Sequence, residues 1–275
     1  MFQRELKLVS CDGLALQGRE WVAANPVAVV CLVHGLGEHS GRYQHVAEAL
    51  TEDGYTLLAM DLRGHGKSEG KRGHAENYTV LWSDLALLLM DAQSRHPNLP
   101  VFLYGHSLGG NLVLSYVLEK KPDIAGIIVS APLLRLAFDP PSWKTAAMRL
   151  MKKLRINLSL PSGLDAAALS RDMDVVNAYR SDPLIHGSVS PSLALDMLRY
   201  GENLLDHASE FTGPLLLMHG TEDRITSIEA TKIFSKKTCA DCTLKIWEDV
   251  QHEPHNDPEK GAVLAFVVDW LKSYS

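Results

Sequence analysis

Two kinds of apolar pattern alternate along the chain. Residues 27–33 are apolar without polar interruption and 55–60 are apolar but for Thr56, both rich in Val or Leu, the pattern of strands buried on both faces. Shorter apolar runs at 101–104, 124–129, 215–218 and 244–247 read the same way. Between them lie helical stretches: 43–53 closed by Gly54, 78–95 stopping before Pro97, then 108–119, 227–236 and 258–271. Ahead of the series, residues 6–9 and 14–21 flank Cys11-Asp12-Gly13, and an Asp-Gly turn between extended segments predicts a hairpin. A hairpin followed by repeated strand–helix units predicts an α/β fold: a mostly parallel sheet of eight strands with helices on both faces.

One stretch breaks the rhythm. Residues 132–211 are helix-like, carry loops around Pro140-Pro141 and Pro161-Ser162-Gly163, and show no strong strand signal. An insertion of this length predicts a helical cap over a core made of residues 1–131 and 212–275.

Composition narrows the function classes. With 27 basic and 33 acidic side chains the net charge is −6, so no basic surplus exists to neutralise nucleic-acid phosphates, and nucleic acid is not expected as a partner. Four cysteines are too few for a disulfide scaffold. Cys239 and Cys242 form a lone CxxC without a second pair, expected to be free thiols in a turn, and Cys31 lies in an apolar run. The N-terminal segment has no signal-peptide core, and the longest apolar run is too short to span a bilayer. The expected location is cytoplasmic, at most peripheral to a membrane.

The chemistry concentrates in loops after strands. Gly105-His106-Ser107-Leu108-Gly109 fits G-x-S-x-G between a strand and a helix, the context of a nucleophile elbow. A serine hydroxyl needs a base, and the base an orienting acid, here expected in the order Ser, Asp or Glu, His. Asp223 follows one late strand and His252 the next. Glu222 and His255 are rivals that loop position alone does not exclude. Two backbone N–H groups must hold the oxyanion. Leu108 follows the nucleophile, and Leu36 sits between glycines in Val33-His34-Gly35-Leu36-Gly37, after the first long strand. His65 is expected to pack in its loop. No metal-ligand spacing and no G-x-G-x-x-G occurs, so no cofactor is expected.

These stretches, with His34 to Tyr43, Asp61 to Gly73, Ser181-Asp182-Pro183-Leu184 and His219-Gly220-Thr221-Glu222-Asp223, resemble the α/β-hydrolase superfamily over nearly the whole chain. More narrowly, they look like its monoacylglycerol lipase and lysophospholipase group, akin to serine aminopeptidase-type hydrolases. The resemblance implies the α/β-hydrolase fold with an inserted helical cap, and a triad of Ser107, Asp223 and His252. It also implies hydrolysis of a lipid ester, foremost monoacylglycerol to glycerol and fatty acid. Glu38, Arg42, Tyr179 and His255 match positions that line the alcohol-binding region of similar lipases. For Glu38 and Arg42 a local ion pair ordering the loop is an equal expectation. A lysophospholipase or broad carboxylesterase is the alternative reading, and a catalytically silent receptor on the same fold the non-enzyme one.

Within the cap, Trp143, Ala147, Leu150, Met151 and Leu154 recur at helical spacing. Lys144, Arg149, Lys152, Lys153 and Arg155 are interleaved with them, and no acid occurs between Pro140 and Gly163. Such a basic amphipathic segment either lies on an anionic membrane surface or packs its stripe on the core.

Overall fold

The computed structural model describes every residue of the chain except 155 and 157. In chain order the elements are β1 (Phe2–Val9), β2 (Ala15–Val22), β3 (Ala28–Val33), α1 (Gln44–Glu52), β4 (Tyr55–Met60), α2 (Tyr78–Arg95), β5 (Val101–His106), α3 (Leu108–Lys120) and β6 (Gly126–Ser130). Then follow α4 (Ser142–Lys153), β7 (Leu160–Pro161), α5 (Met173–Ser181), β8 (Ser188–Val189), α6 (Pro191–Asp206), β9 (Pro214–Gly220), α7 (Ile228–Lys237), β10 (Asp241–Trp247) and α8 (Lys260–Lys272).

The main sheet has eight strands in the order β1-β2-β4-β3-β5-β6-β9-β10. β1 and β2 form the expected antiparallel hairpin, β2 runs antiparallel to β4, and every pairing from β4 to β10 is parallel. The unbroken apolar runs lie in the middle: all residues of β3, β4, β5 and β6 are buried. Their alternation separates two cores. Val29, Cys31 and Val33 of β3 face one side with α2 and α3 residues such as Leu85, Leu88 and Leu112. Ala28, Val30 and Leu32 face the other, against Val46 and Leu50 of α1 and Val263 and Val267 of α8. The period of two along each strand thus assigns alternate residues to opposite layers.

Helix ends follow local chemistry. Asn77 accepts the Val80 N–H at 3.2 Å at the start of α2. Ser190 accepts the Leu193 N–H at 3.3 Å ahead of Pro191, the first residue of α6. Gly54 takes a left-handed φ of 88° after α1.

The insertion between β6 and β9 differs from the helix-only expectation. β7 and β8 pair as a short antiparallel ribbon, Leu160 with Val189 and Pro161 with Ser188. Two-residue strands show no period, so only the folded chain reveals their pairing. α6 packs on α3, and Leu193, Met197, Leu204 and Leu205 join the main core. α4 behaves otherwise: none of its residues is buried, and Trp143 and Leu150, with Leu154 just past its end, are 67%, 58% and 59% exposed. Lys152 reaches Asp196 of α6 at 2.7 Å. Arg155 lies outside the described residues. Cys31 is fully buried, Cys239 exposed and Cys242 partly buried on β10; all are free thiols.

Candidate active site

The parallel strands bring their carboxyl ends to one edge of the sheet, where such folds build their sites. Ser107 follows β5 directly and heads α3 with φ 54° and ψ −116°, a region L-residues rarely occupy. Glycines make this turn fit. A Cβ on Gly105 would lie 2.5 Å from the Gly109 carbonyl oxygen, and one on Gly109 would lie 2.0 Å from that of Val33. Helix, strand and elbow therefore approach closer than any side chain permits.

His252, beyond β10, and Asp223, beyond β9, complete a line to the serine. His252 Nε2 is 3.0 Å from Ser107 Oγ, and Nδ1 is 2.8 Å from Asp223 Oδ2. Thr226 Oγ donates to the same Oδ2 at 2.7 Å, while Oδ1 accepts the Ile225 and Thr226 N–H groups at 2.8 and 3.0 Å. His219 Nε2 lies 3.1 Å from Oδ2. Burial pushes the Asp223 carboxyl up, but His252 and the hydrogen bonds of His219 and His252 outweigh it, and Asp223 sits well below the usual carboxylate range. An ionised Asp223 only accepts, so Nδ1–H of His252 donates to it and Nε2 is left to accept from the Ser107 hydroxyl. Burial lowers the His252 pKa, yet Asp223 dominates, and the net shift is upward.

The rivals fall elsewhere. Glu222 is exposed. His255 is buried, stacked on Tyr43 with ring centroids 4.9 Å apart and edge-on to His106 at 4.8 Å.

The oxyanion loop leans on the elbow. A Cβ on Gly35 would lie 3.3 Å from Ser107 Cβ, and Leu36 borders the cleft beside the serine. Leu108 starts α3, so its N–H is among those a helix leaves without an internal partner. The cleft beside the serine is narrow. Gly35, Leu36, Ser107 and His252 line it from the core, and Leu164, Leu169 and Tyr179 from the insertion.

The four candidates for alcohol binding separate. Glu38 and Tyr179 border the cleft. Arg42 and His255 are not among the residues that line it. Arg42 is held between carboxylates: Nη1 is 2.7 Å from Glu38 Oε2 and 2.6 Å from Glu253 Oε1, and Nη2 is 2.7 Å from Glu253 Oε2. His255 is enclosed by rings. Glu38 Oε1 in turn accepts the Gly35 N–H at 2.6 Å and the Tyr43 hydroxyl at 2.8 Å, so the loop-ordering ion pair is present. The sequence reading missed Glu253, Thr226, His219 and His106. Glu253 adjoins His252 and His106 adjoins Ser107 in the chain, but nothing in their spacing signals a partner. His65 packs in its loop, as expected, against His34 and His186.

Residues 24–259 match the family described as serine aminopeptidase, S33. The chain belongs to this family. It is 33% identical over 252 residues to a monoacylglycerol lipase of Mycolicibacterium smegmatis, covering 91% of this chain and 90% of that one. It is 38% identical over 269 residues to an uncharacterized abhydrolase domain-containing protein of Dictyostelium discoideum. That match covers 96% of this chain but 28% of the relative, so the chain spans less than a third of that protein's length. The crystal structure of Paleococcus ferrophilus monoacylglycerol lipase superposes with a TM-score of 0.84 at 33% identity, covering 100% of both chains. The S33 chain has the α/β-hydrolase fold.

Proposed function

We propose that this protein hydrolyses monoacylglycerol to glycerol and a fatty acid. The protein is a carboxylic ester hydrolase. The observation that carries the reading is the continuous hydrogen-bonded line Ser107–His252–Asp223 at the mouth of a cleft. It is supported by similarity, over nine-tenths of the chain, to a monoacylglycerol lipase.

In this mechanism His252 Nε2 takes the Ser107 proton as Oγ attacks the ester carbonyl. The Leu36 and Leu108 N–H groups hold the oxyanion, and Asp223 stabilises the imidazolium. His252 then protonates the leaving glycerol, and water releases the fatty acid from the acyl-enzyme. No cofactor takes part in any step. Tyr179 faces the alcohol side, and Glu38 orders the oxyanion loop through Gly35. Segment 132–211 acts as the cap, and its Leu164 and Leu169 line the cleft.

A second proposal concerns where the lipid comes from. Trp143 and Leu150 are exposed on α4 with Arg149 and Lys153, and Phe138, Leu154 and Leu158 are exposed in the segments flanking it, a composition suited to an anionic lipid interface. Among the described residues no helix is long and apolar enough to cross a membrane. Labelling with a fluorophosphonate and a hydrolysis screen of mono-, di- and triacylglycerols and lysophospholipids test the functional reading. Label on Ser107 with preference for monoacylglycerol is expected, whereas preference for lysophospholipid, or no label, overturns it.

A further inference from the structure

The catalytic line accounts for one side of His252. The other side faces a buried ionic cluster that the mechanism does not use. Glu253, next in the chain and 2% exposed, accepts Arg42 through both oxygens and the Asn256 amide at 2.7 Å. Arg42 also holds Glu38, which is 2% exposed and grips the oxyanion loop through the Gly35 N–H. One guanidinium thus ties the loop carrying the general base to the loop carrying the Leu36 oxyanion donor, 211 positions apart in the chain. The insertion secures the same loop: the Glu253 N–H donates to the Leu169 carbonyl at 2.8 Å, and the Tyr179 ring lies 4.8 Å from the Arg42 guanidinium carbon.

The charge count matters as much as the geometry. Two carboxylates share one guanidinium, which leaves the cluster one negative charge in surplus. A side-chain atom of His106 lies within 4.8 Å of carboxylate oxygens of both Glu38 and Glu253. Its ring is 4.9 Å from that of His252. Burial and the neighbouring His252 lower the His106 pKa to about 4, so His106 brings no compensating charge near neutral pH. Each acid is held below its usual range against burial, chiefly by Arg42, so both are ionised. A buried, fully hydrogen-bonded surplus charge is costly unless a cation forms beside it, and the one cation the reaction creates there is the imidazolium of His252.

We propose that Glu253, clamped by Arg42, is a positioning residue for His252: it sets the imidazole against Ser107 and the oxyanion loop, and its charge favours the imidazolium of the transition state. The proposal rests on the Ser107–His252–Asp223 reading. The charged and titratable groups facing His252 are Asp223 on one side and Glu253, Glu38 and His106 on the other, with Ser107 ahead.

The test uses the full chain and a soluble short-chain p-nitrophenyl ester, which has no glycerol to recognise. Wild-type labelling by a fluorophosphonate, lost in Ser107→Ala, first establishes the nucleophile; its failure would overturn the triad reading and this proposal with it, whereas the Glu253 variants below overturn this proposal alone. With the nucleophile established, Glu253→Gln should lower kcat by about 10²-fold with KM nearly unchanged, and shift the acid limb of kcat/KM to lower pH. Arg42→Lys keeps the charge and loses the bidentate grip, so kcat should fall while the acid limb stays in place. Wild-type kcat and an unmoved acid limb in Glu253→Gln overturn the proposal, as does a loss confined to KM. Should Glu253→Gln not fold, Glu253→Asp decides: reduced kcat with an unmoved acid limb supports the pair, and wild-type kcat refutes it.

Discussion

Thr226 Oγ lies 2.7 Å from Oδ2 of Asp223, the oxygen that also faces His252 Nδ1 at 2.8 Å. The hydroxyl adds a donor to a buried oxygen that His252 and His219 also face. Thr226→Val keeps the shape and removes the donor. Stability should fall by about 1–2 kcal/mol in denaturant titration, and kcat should drop less than in an Asp223 variant.

Asp223→Asn should cost about 10⁴-fold in kcat, because the amide no longer fixes the His252 tautomer. Glu222→Gln, at an exposed position, should stay near wild type. Steady-state kinetics on a soluble ester compares them, and the reverse ranking would move the acid to Glu222.

Ser107 carries both the chemistry and the strain of its positive φ. Ser107→Ala should fold and lose about 10⁶ in kcat. Ser107→Gly should be as inactive but melt higher than Ser107→Ala, by the equivalent of about 1 kcal/mol, because glycine adopts this backbone freely. Equal melting temperatures would show that the elbow stores no strain.

The pH dependence follows from His252. The imidazole must be neutral to accept the serine proton, and its pKa is raised above the ordinary 6.5, chiefly by Asp223 against burial. Activity should therefore be full on the alkaline side and fall as pH drops through a midpoint above 6.5. His106, lowered to about 4, should contribute no second inflection between pH 5 and 8. A kcat/KM profile with an acid midpoint below 6.5 would contradict the assignment.

Tyr179 borders the cleft, whereas the carboxylate of Glu38 is already bonded to Gly35, Tyr43 and Arg42. Tyr179→Phe should depress activity on monoacylglycerol more than on the matched methyl ester. Glu38→Gln should depress both alike, because it loosens the oxyanion loop. A Glu38→Gln loss confined to monoacylglycerol would give Glu38 to glycerol recognition.

The exposed cap stripe predicts vesicle binding. Lys152 is engaged with Asp196, so the informative change is Arg149→Glu with Lys153→Glu. Each basic residue is worth about 1 kcal/mol near an anionic surface. Sedimentation with anionic vesicles should weaken while soluble-ester turnover holds, and unaltered binding would remove the membrane contact.

By itself the sequence determined the layering and the place of the chemistry. Unbroken runs such as 27–33 mark strands buried on both faces, because a parallel sheet covered by helices leaves no polar side. Gly105, Ser107 and Gly109 mark the elbow, because only glycine fits where helix and strand backbones nearly touch. Tertiary structure decided which neighbour does what. Asp223 and Glu222 share a loop, but only the fold buries one against His252 and exposes the other. The same holds for His252 and His255, three residues apart on one loop and separated by the rings around the second. The β7–β8 ribbon and the Arg42–Glu253 clamp join residues 27 or more positions apart in the chain. Such contacts have no period and no local propensity, since their free energy comes from groups that meet only after the sheet has closed between them.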